Sequence, residues 1–232
     1  MEEAVVSVEE APVETGNRLG LTAEGLEQIK LAVQTAERRT KAEIIPMVVT
    51  RSGLYREVSH WVGLGLALLV LAILLTVESN WFPWGWHASN AAWLLLSTLV
   101  AYGGGVWLGT LWPVIRLCTS AERMRHKVKF RAERAFSQHA LSQTRERTGV
   151  LIMLSILERQ IYVLPDQSLD GLVPPDQWAL VVQAAVERLQ NDDIVNGLCQ
   201  GIHRCGLILA DTCSGGPGGN PNELPDELIQ EP

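Results

Sequence analysis

Charge is what this 232-residue sequence withholds most conspicuously: between Trp61 and Ile115 the only formal charge is Glu78. A soluble domain of that length would interrupt its apolar runs with polar helix faces, and none occur. Other absences narrow the function. The first seventeen residues hold five Glu and no Lys or Arg, so they lack the basic start of a secretory signal. The four cysteines (Cys118, Cys199, Cys205, Cys213) form no CxxC pair, which points to free thiols in a reducing compartment. There is no GxSxG, no P-loop, no Rossmann fingerprint and no internal repeat. With 19 basic against 26 acidic side chains and a net charge of −7, nucleic acid is not an expected partner.

What fills the uncharged stretch is two apolar runs, 61–77 and 91–115, joined by a segment containing Ser79–His87. At ~1.5 Å per residue the first spans roughly 25 Å, and the second exceeds the ~30 Å hydrocarbon core of a bilayer. The expectation is a transmembrane helical hairpin. Seven of the eight tryptophans lie between Trp61 and Trp112, with Trp61 and Trp112 at one interface and Trp81, Trp84, Trp86 and Trp93 at the other. Arg51 and Arg56 precede the first run, and Arg116, Arg123, Arg125, Lys127 and Lys129 follow the second, whereas the connecting loop has no Lys or Arg. The positive-inside rule then puts both termini in the cytoplasm of a multi-pass protein of the cell (inner) membrane. Ala101, Gly105 and Gly109 recur every fourth residue and offer a close-approach face, with Gly63 and Ala67 opposite. Packing within the hairpin is preferred over a homodimer contact.

The remainder reads as an α/β domain interrupted by that hairpin. Residues 1–17 are an acidic tail expected to be disordered. In 18–50, Thr22 stands as an N-cap before a helix with Leu26, Ile29, Val33 and Ala36 on one face, and Glu43–Thr50 is a strand whose Pro46 belongs at an edge or bulge. In 119–213, Thr119 and Glu122 have capping-box spacing ahead of a helix with Met124, Val128, Ala132, Ala135 and His139 on its buried side. Gly149–Ile156 is a continuous apolar run, the mark of a central strand, and a tight turn leads to Gln160–Leu164. Two helices follow, about 176–190 and from Asp192 or Asp193 to about Cys213. Residues 214–232, rich in Gly and Pro, form a second tail expected to be disordered.

The chemistry-bearing residues are few. Asp166, Asp170 and Asp176 could give oxygens to Ca²⁺ or Mg²⁺, but a Pro-rich loop also collects Asp for turns and caps, and that is the preferred explanation. Cys199 and His203 lie four apart with Cys205 close by, which suits core packing better than zinc. His126 and His139 have no evident catalytic partner in the sequence. Arg123, Arg125, Lys127, Lys129, Arg131 and Arg134 crowd one helix just after the second apolar run, where anionic lipid headgroups are the expected contact. No catalytic residue and no bound cofactor are expected. The partners are the lipid bilayer and a membrane protein or a second copy.

Thr22–Ile29, Ala36–Ile45, Arg145–Ile152, Glu158–Val163 and Asn196–Ala210, in that order, resemble the TPM domain family from its opening helix to its final one. The resemblance covers most of 21–211 apart from the hairpin, which is inserted after the first strand. It implies an α/β/α sandwich around a small mixed sheet. Relatives are often membrane-tethered. Some are described as acid phosphatases or divalent-cation binders, and a plant branch is tied to photosystem repair. Those activities use acidic residues and glycines in loops at one end of the sheet. Here Leu164 and Pro165 stand where many relatives have glycines, which puts an inherited metal or phosphatase site in doubt. A binding or accessory role is therefore the first expectation and a divalent-cation-dependent phosphatase, using Asp166 and Asp170, the alternative. A channel or transporter is disfavoured because the hairpin offers only Ser97, Thr98, Tyr102 and Thr110 as polar groups.

Overall fold

The computed structural model describes residues 21–81, 88–139, 147–189, 193–213 and 226–231. The described residues divide into two compact units: those within 1–50, 134–154 and 161–232 form the first, and those within 51–133 and 155–160 the second.

The first unit is built on a four-stranded sheet. Helix α1 (Ala23–Glu37) begins where the sequence places it, with the Thr22 hydroxyl accepting from the Gly25 N–H at 3.2 Å. Ile29, Val33 and Ala36 are buried along one face, as their spacing requires. Strand β1 (Ile44–Val49) and strand β2 (Val150–Ser155) are buried at every position, so both faces of the sheet are covered. Strand β3 (Gln160–Pro165) follows β2 across a tight turn in which Arg159 takes a positive φ of 51°. Helix α6 (Gln167–Asp170), helix α7 (Pro175–Leu189) and helix α8 (Ile194–Thr212) come next. Asp193 caps α8 by accepting from the Asn196 N–H at 3.1 Å. Helix α8 packs on both α1 and α7. Its buried Gly206 admits Ala36 so closely that a Cβ there would lie 2.6 Å from the Ala36 Cβ.

The sheet order is β3-β2-β1-β4, where β4 (Ile229–Glu231) pairs in parallel with β1. Two expectations change here. The stretch 214–232 is not uniformly a disordered tail: 214–225 lies outside the described residues, but 229–231 is a strand. The first strand consequently is not an edge. Pro46 stands one residue ahead of the first β1–β4 pair, Met47↔Ile229, where a missing N–H is tolerated.

The second unit carries the apolar hairpin. Helix α2 (Arg56–Trp81) and helix α3 (Ala88–Leu108) pack along each other. The loop residues 82–87 lie outside the described residues, and with them the side chains of Trp84 and Trp86. A Cβ at Gly105 would meet the Gly63 Cα at 2.7 Å, and one at Gly109 the Ser59 Cα at 2.6 Å. The small residues thus serve the hairpin itself. The second apolar run breaks earlier than expected. Helix α3 ends at Leu108, Leu111 adopts an extended conformation, and a separate helix α4 (Trp112–Cys118) begins with Pro113 near its start. Proline lacks the N–H that a continuous helix would need and fits the first turn of a new one. Helix α5 (Ala121–Gln138) is capped by Ser120, whose hydroxyl accepts from the Arg123 N–H at 3.4 Å, and not by Thr119. Thr119 is the extended residue closing α4, and its buried hydroxyl has no hydrogen-bond partner among the described residues.

Candidate functional site

The acidic loop after β3 is the first place to look. Asp166 is buried, at 5% exposure, because it caps α6: one carboxylate oxygen accepts from the Gln167 N–H at 2.6 Å. Its backbone N–H donates to the Gly149 carbonyl at 2.9 Å, which fixes the loop to the start of β2. The second oxygen, Oδ2, is buried without a hydrogen-bond partner among the described residues. Asp170 ends α6, and its side chain lies outside the described ones. Asp176 sits exposed in the first turn of α7, where its charge suits the helix dipole. No group of three or more His, Cys, Asp or Glu side chains converges as a metal site among the described residues. On α8, His203 is exposed while Cys205 is fully buried, so the two do not share a face. Burial pushes the Cys205 and Cys199 thiols above their usual range, the inert state of a packed cysteine.

A denser polar constellation lies in the second unit, at the point where α2 begins. Glu158, in the turn between β2 and β3, is buried at 6% exposure. Its carboxylate accepts from the Tyr55 hydroxyl at 2.6 Å and from the Ser52 N–H at 3.1 and 3.3 Å. The Ser155 hydroxyl donates to it as well, and the Ser52 hydroxyl donates to Ser155 at 2.8 Å. Burial, followed by the hydrogen bond and charge of Glu158, drives the Tyr55 phenol far above its ordinary range. Arg116, at the end of α4, grips the same turn: Nε donates to the Leu157 carbonyl at 2.6 Å and Nη2 to that of Ile156 at 3.1 Å. Lys127 donates to the Leu54 carbonyl at 2.6 Å and stands 4.0 Å over the Tyr55 ring. Tyr55, Val58, Ile115 and Leu157 form an apolar shell around these groups. Three donors, two hydroxyls and one backbone N–H, thus converge on this one carboxylate. The arrangement is an anchor joining the start of α2 and the end of α4 to one turn.

The basic helix α5 presents Arg123, Arg125, Lys129 and Arg134 to solvent, while Lys127 and Arg131 are half-buried. Arg123 stands 3.8 Å from Glu57, and Lys129 the same distance from Glu133. His126 stacks on Phe130, and His139 meets a carboxylate after all, Glu231 at 3.3 Å. In the first unit a cleft of about 240 Å³ opens between α7 and α8, lined by Val173, Pro174, Gln177, Arg204, Asp211 and Thr212 among others.

The family model described as TPM domain matches residues 115–207. The TPM resemblance holds. The matched segment runs from the end of α4 through most of α8 and includes Arg116, Glu158 and all three aspartates of the loop. No curated protein matches the chain. Among solved structures, the NMR structure of BA42 protein from the psychrophilic bacterium Bizionia argentinensis aligns with 90% of this chain and 94% of its own. The TM-score is 0.56 and the sequence identity 17%. At that identity the likeness speaks for the fold alone. This chain has a mixed α/β fold with a four-stranded sheet and two apolar helices set in after the first strand.

Glu158 is the residue that sequence reasoning missed. The one local signal was Ser155 three residues before it in a tight turn, a spacing that lets a hydroxyl reach a carboxylate. The other donors, Ser52 and Tyr55, come from 106 and 103 residues away.

Proposed function

We propose that this chain is a membrane-anchored, TPM-like α/β domain that works by binding, as an accessory factor for other envelope proteins, with both termini on the cytoplasmic face of the cell (inner) membrane. The observation that carries the reading is the surface of the hairpin. Two helical windows, Arg56–Val77 and Ala91–Leu108, have mean hydropathies of 2.3 and 1.5, yet only 11% and 6% of their residues are buried. Trp61, Trp93, Leu95 and Leu99 are each more than 60% exposed. Water would penalise that surface heavily and lipid would not. The exposed arginines and lysine of α5 suit anionic headgroups beside it.

A second reading, a divalent-cation-dependent phosphatase using the Asp166/Asp170 loop, is favoured by one observation: the buried, unpartnered Oδ2 of Asp166. One experiment separates the two. The detergent-purified protein is unfolded thermally with and without Ca²⁺, Mg²⁺ and Mn²⁺, beside an Asp166→Ala/Asp170→Ala variant, and both are assayed on a phosphomonoester. A cation at 100 times its Kd adds ~2.7 kcal/mol to the native state. The binding reading expects no cation-dependent rise and no turnover. A rise and a turnover that both vanish in the variant would replace it with the phosphatase. Loss of the α6 cap lowers the variant's midpoint in every buffer, so only the cation-dependent difference is diagnostic.

A further inference from the structure

Strand β1 is apolar and buried at all six positions, the character of an internal strand, but what makes it internal is only three residues long. β4 pairs with it through Met47↔Ile229, Val48↔Gln230 and Val49↔Glu231, and the Thr50 N–H extends the ladder to the Glu231 carbonyl at 3.1 Å. Around that short ladder, side chains meet the acids of the segment one by one. Gln34 Nε2 donates to Asp226 at 2.9 Å, Lys30 Nζ reaches Glu227 at 3.4 Å, and His139 Nε2 lies 3.3 Å from Glu231. Main-chain pairing supplies the attraction and three side chains check the charges, the division of labour of peptide capture by strand addition.

The segment is held the way a ligand is held. Its strand residues are all half-exposed, and a three-residue strand with solvent-reachable ion pairs belongs to the low-stability end of a fold. Twelve residues, Ser214–Pro225, with four Gly and three Pro, separate it from α8. Fully extended, that stretch reaches on the order of 40 Å. When the segment leaves, β1 presents an apolar edge with unpaired backbone groups, which favours rapid refilling. Residues 226–231 of another molecule restore every pairing and every acid contact. Exchange therefore sacrifices no interaction, which is the condition for low-cost strand swapping.

We propose that the outer edge of β1, with Lys30, Gln34 and His139, is a docking groove for an extended acidic segment in parallel register, and that its occupant in trans is Asp226–Glu231 of a second copy of this chain. This inference is independent of the membrane reading.

The test uses register partners in the full-length protein, with Cys118, Cys199 and Cys213 replaced by Ser and the buried Cys205 retained. A Val48→Cys/Gln230→Cys chain and an equimolar mixture of the two single variants are oxidised in parallel, and the links are mapped by mass spectrometry. The double variant is expected to link positions 48 and 230 within one chain. The mixture is expected to link them between chains, with a yield that rises with protein concentration and falls when the free peptide Asp226–Glu231 is added in excess. An interchain yield no higher than that of the chain without the engineered cysteines overturns the proposal. So does an interchain link that the peptide leaves untouched, or a double variant that fails to link at all.

Discussion

At the scale of single residues, two buried carboxylates behave in opposite ways. Glu158 is ringed by donors, so truncating it strands the Tyr55 and Ser155 hydroxyls and the Ser52 N–H in a buried site. Hydrogen bonds to a charged group contribute roughly 1.5–3 kcal/mol each, and an orphaned donor adds its own desolvation penalty. Glu158→Ala is expected to lose about 3 kcal/mol or more and Tyr55→Phe about half of that, measured by denaturant unfolding of the purified protein. Equal losses would mean that the carboxylate acts through Tyr55 alone. Glu37, at the end of α1, accepts from one donor among the described residues, the Ile44 N–H at 2.8 Å. Burial above all, with the nearby carboxylates of Glu43 and Asp226, pushes it from 4.5 up to about 8. The folded state thus holds a proton that the unfolded state releases above 4.5. Its contribution to stability is largest at acid pH, declines as pH rises towards 8, and is level beyond. Glu37→Gln keeps an acceptor for Ile44 and should flatten that decline. Unfolding midpoints compared at pH 5, 7 and 9 check it, and an unchanged slope would assign the pH dependence to other groups.

Among elements, the α2–α3 pair shows why glycine position matters more than glycine count. Gly103, Gly104 and Gly65 have open space where a Cβ would go, whereas Gly105 and Gly63 are in backbone contact. Overpacking typically costs ~1–3 kcal/mol. Gly105→Leu is expected to separate the helices and lower the melting temperature in detergent, while Gly103→Leu leaves it nearly unchanged. If the two variants behave alike, the seam does not hold the pair together. The same helix carries the clearest departure from its sequence. An apolar run continuous to Ile115 reads as one span, but backbone geometry at 109–113 ends it at Leu108 and starts α4, freeing Arg116 to reach the turn carbonyls. Hydropathy registers composition and not the loss of one N–H.

For the whole molecule, the prediction concerns sidedness. Under the proposed orientation, an impermeant thiol reagent added to intact cells should modify a Ser89→Cys variant and leave the native thiols, Cys118 and Cys213 included, unlabelled until the membrane is opened. Labelling of Cys213 in intact cells, with the Ser89→Cys variant protected, would invert the orientation. Either outcome leaves the two-unit division intact, because that division comes from packing. The long helices and the β2–β3 turn share one unit, and the sheet with α1, α7 and α8 forms the other.

By itself the sequence determined whatever is local. The order of α1, β1, the two long apolar helices, α5, β2, β3, α7 and α8, the N-cap at Thr22 and the central character of β2 all follow from spacing and run length over a few consecutive turns, whereas α4, α6 and β4 do not. The placement of Asp166 in a capping position was legible too, since Asp-rich loops form turns. Tertiary structure alone decided what depends on convergence. Glu158 gathers donors from more than a hundred residues away, and β1 becomes internal because residues 229–231 return to its edge. Burial raises the Glu37 carboxyl, and the carboxylates of Glu43 and Asp226 add to it. Periodicity describes the faces of one element. It carries no information about which distant polar groups will be desolvated together, and that desolvation fixed the anchor, the raised carboxyl and the groove.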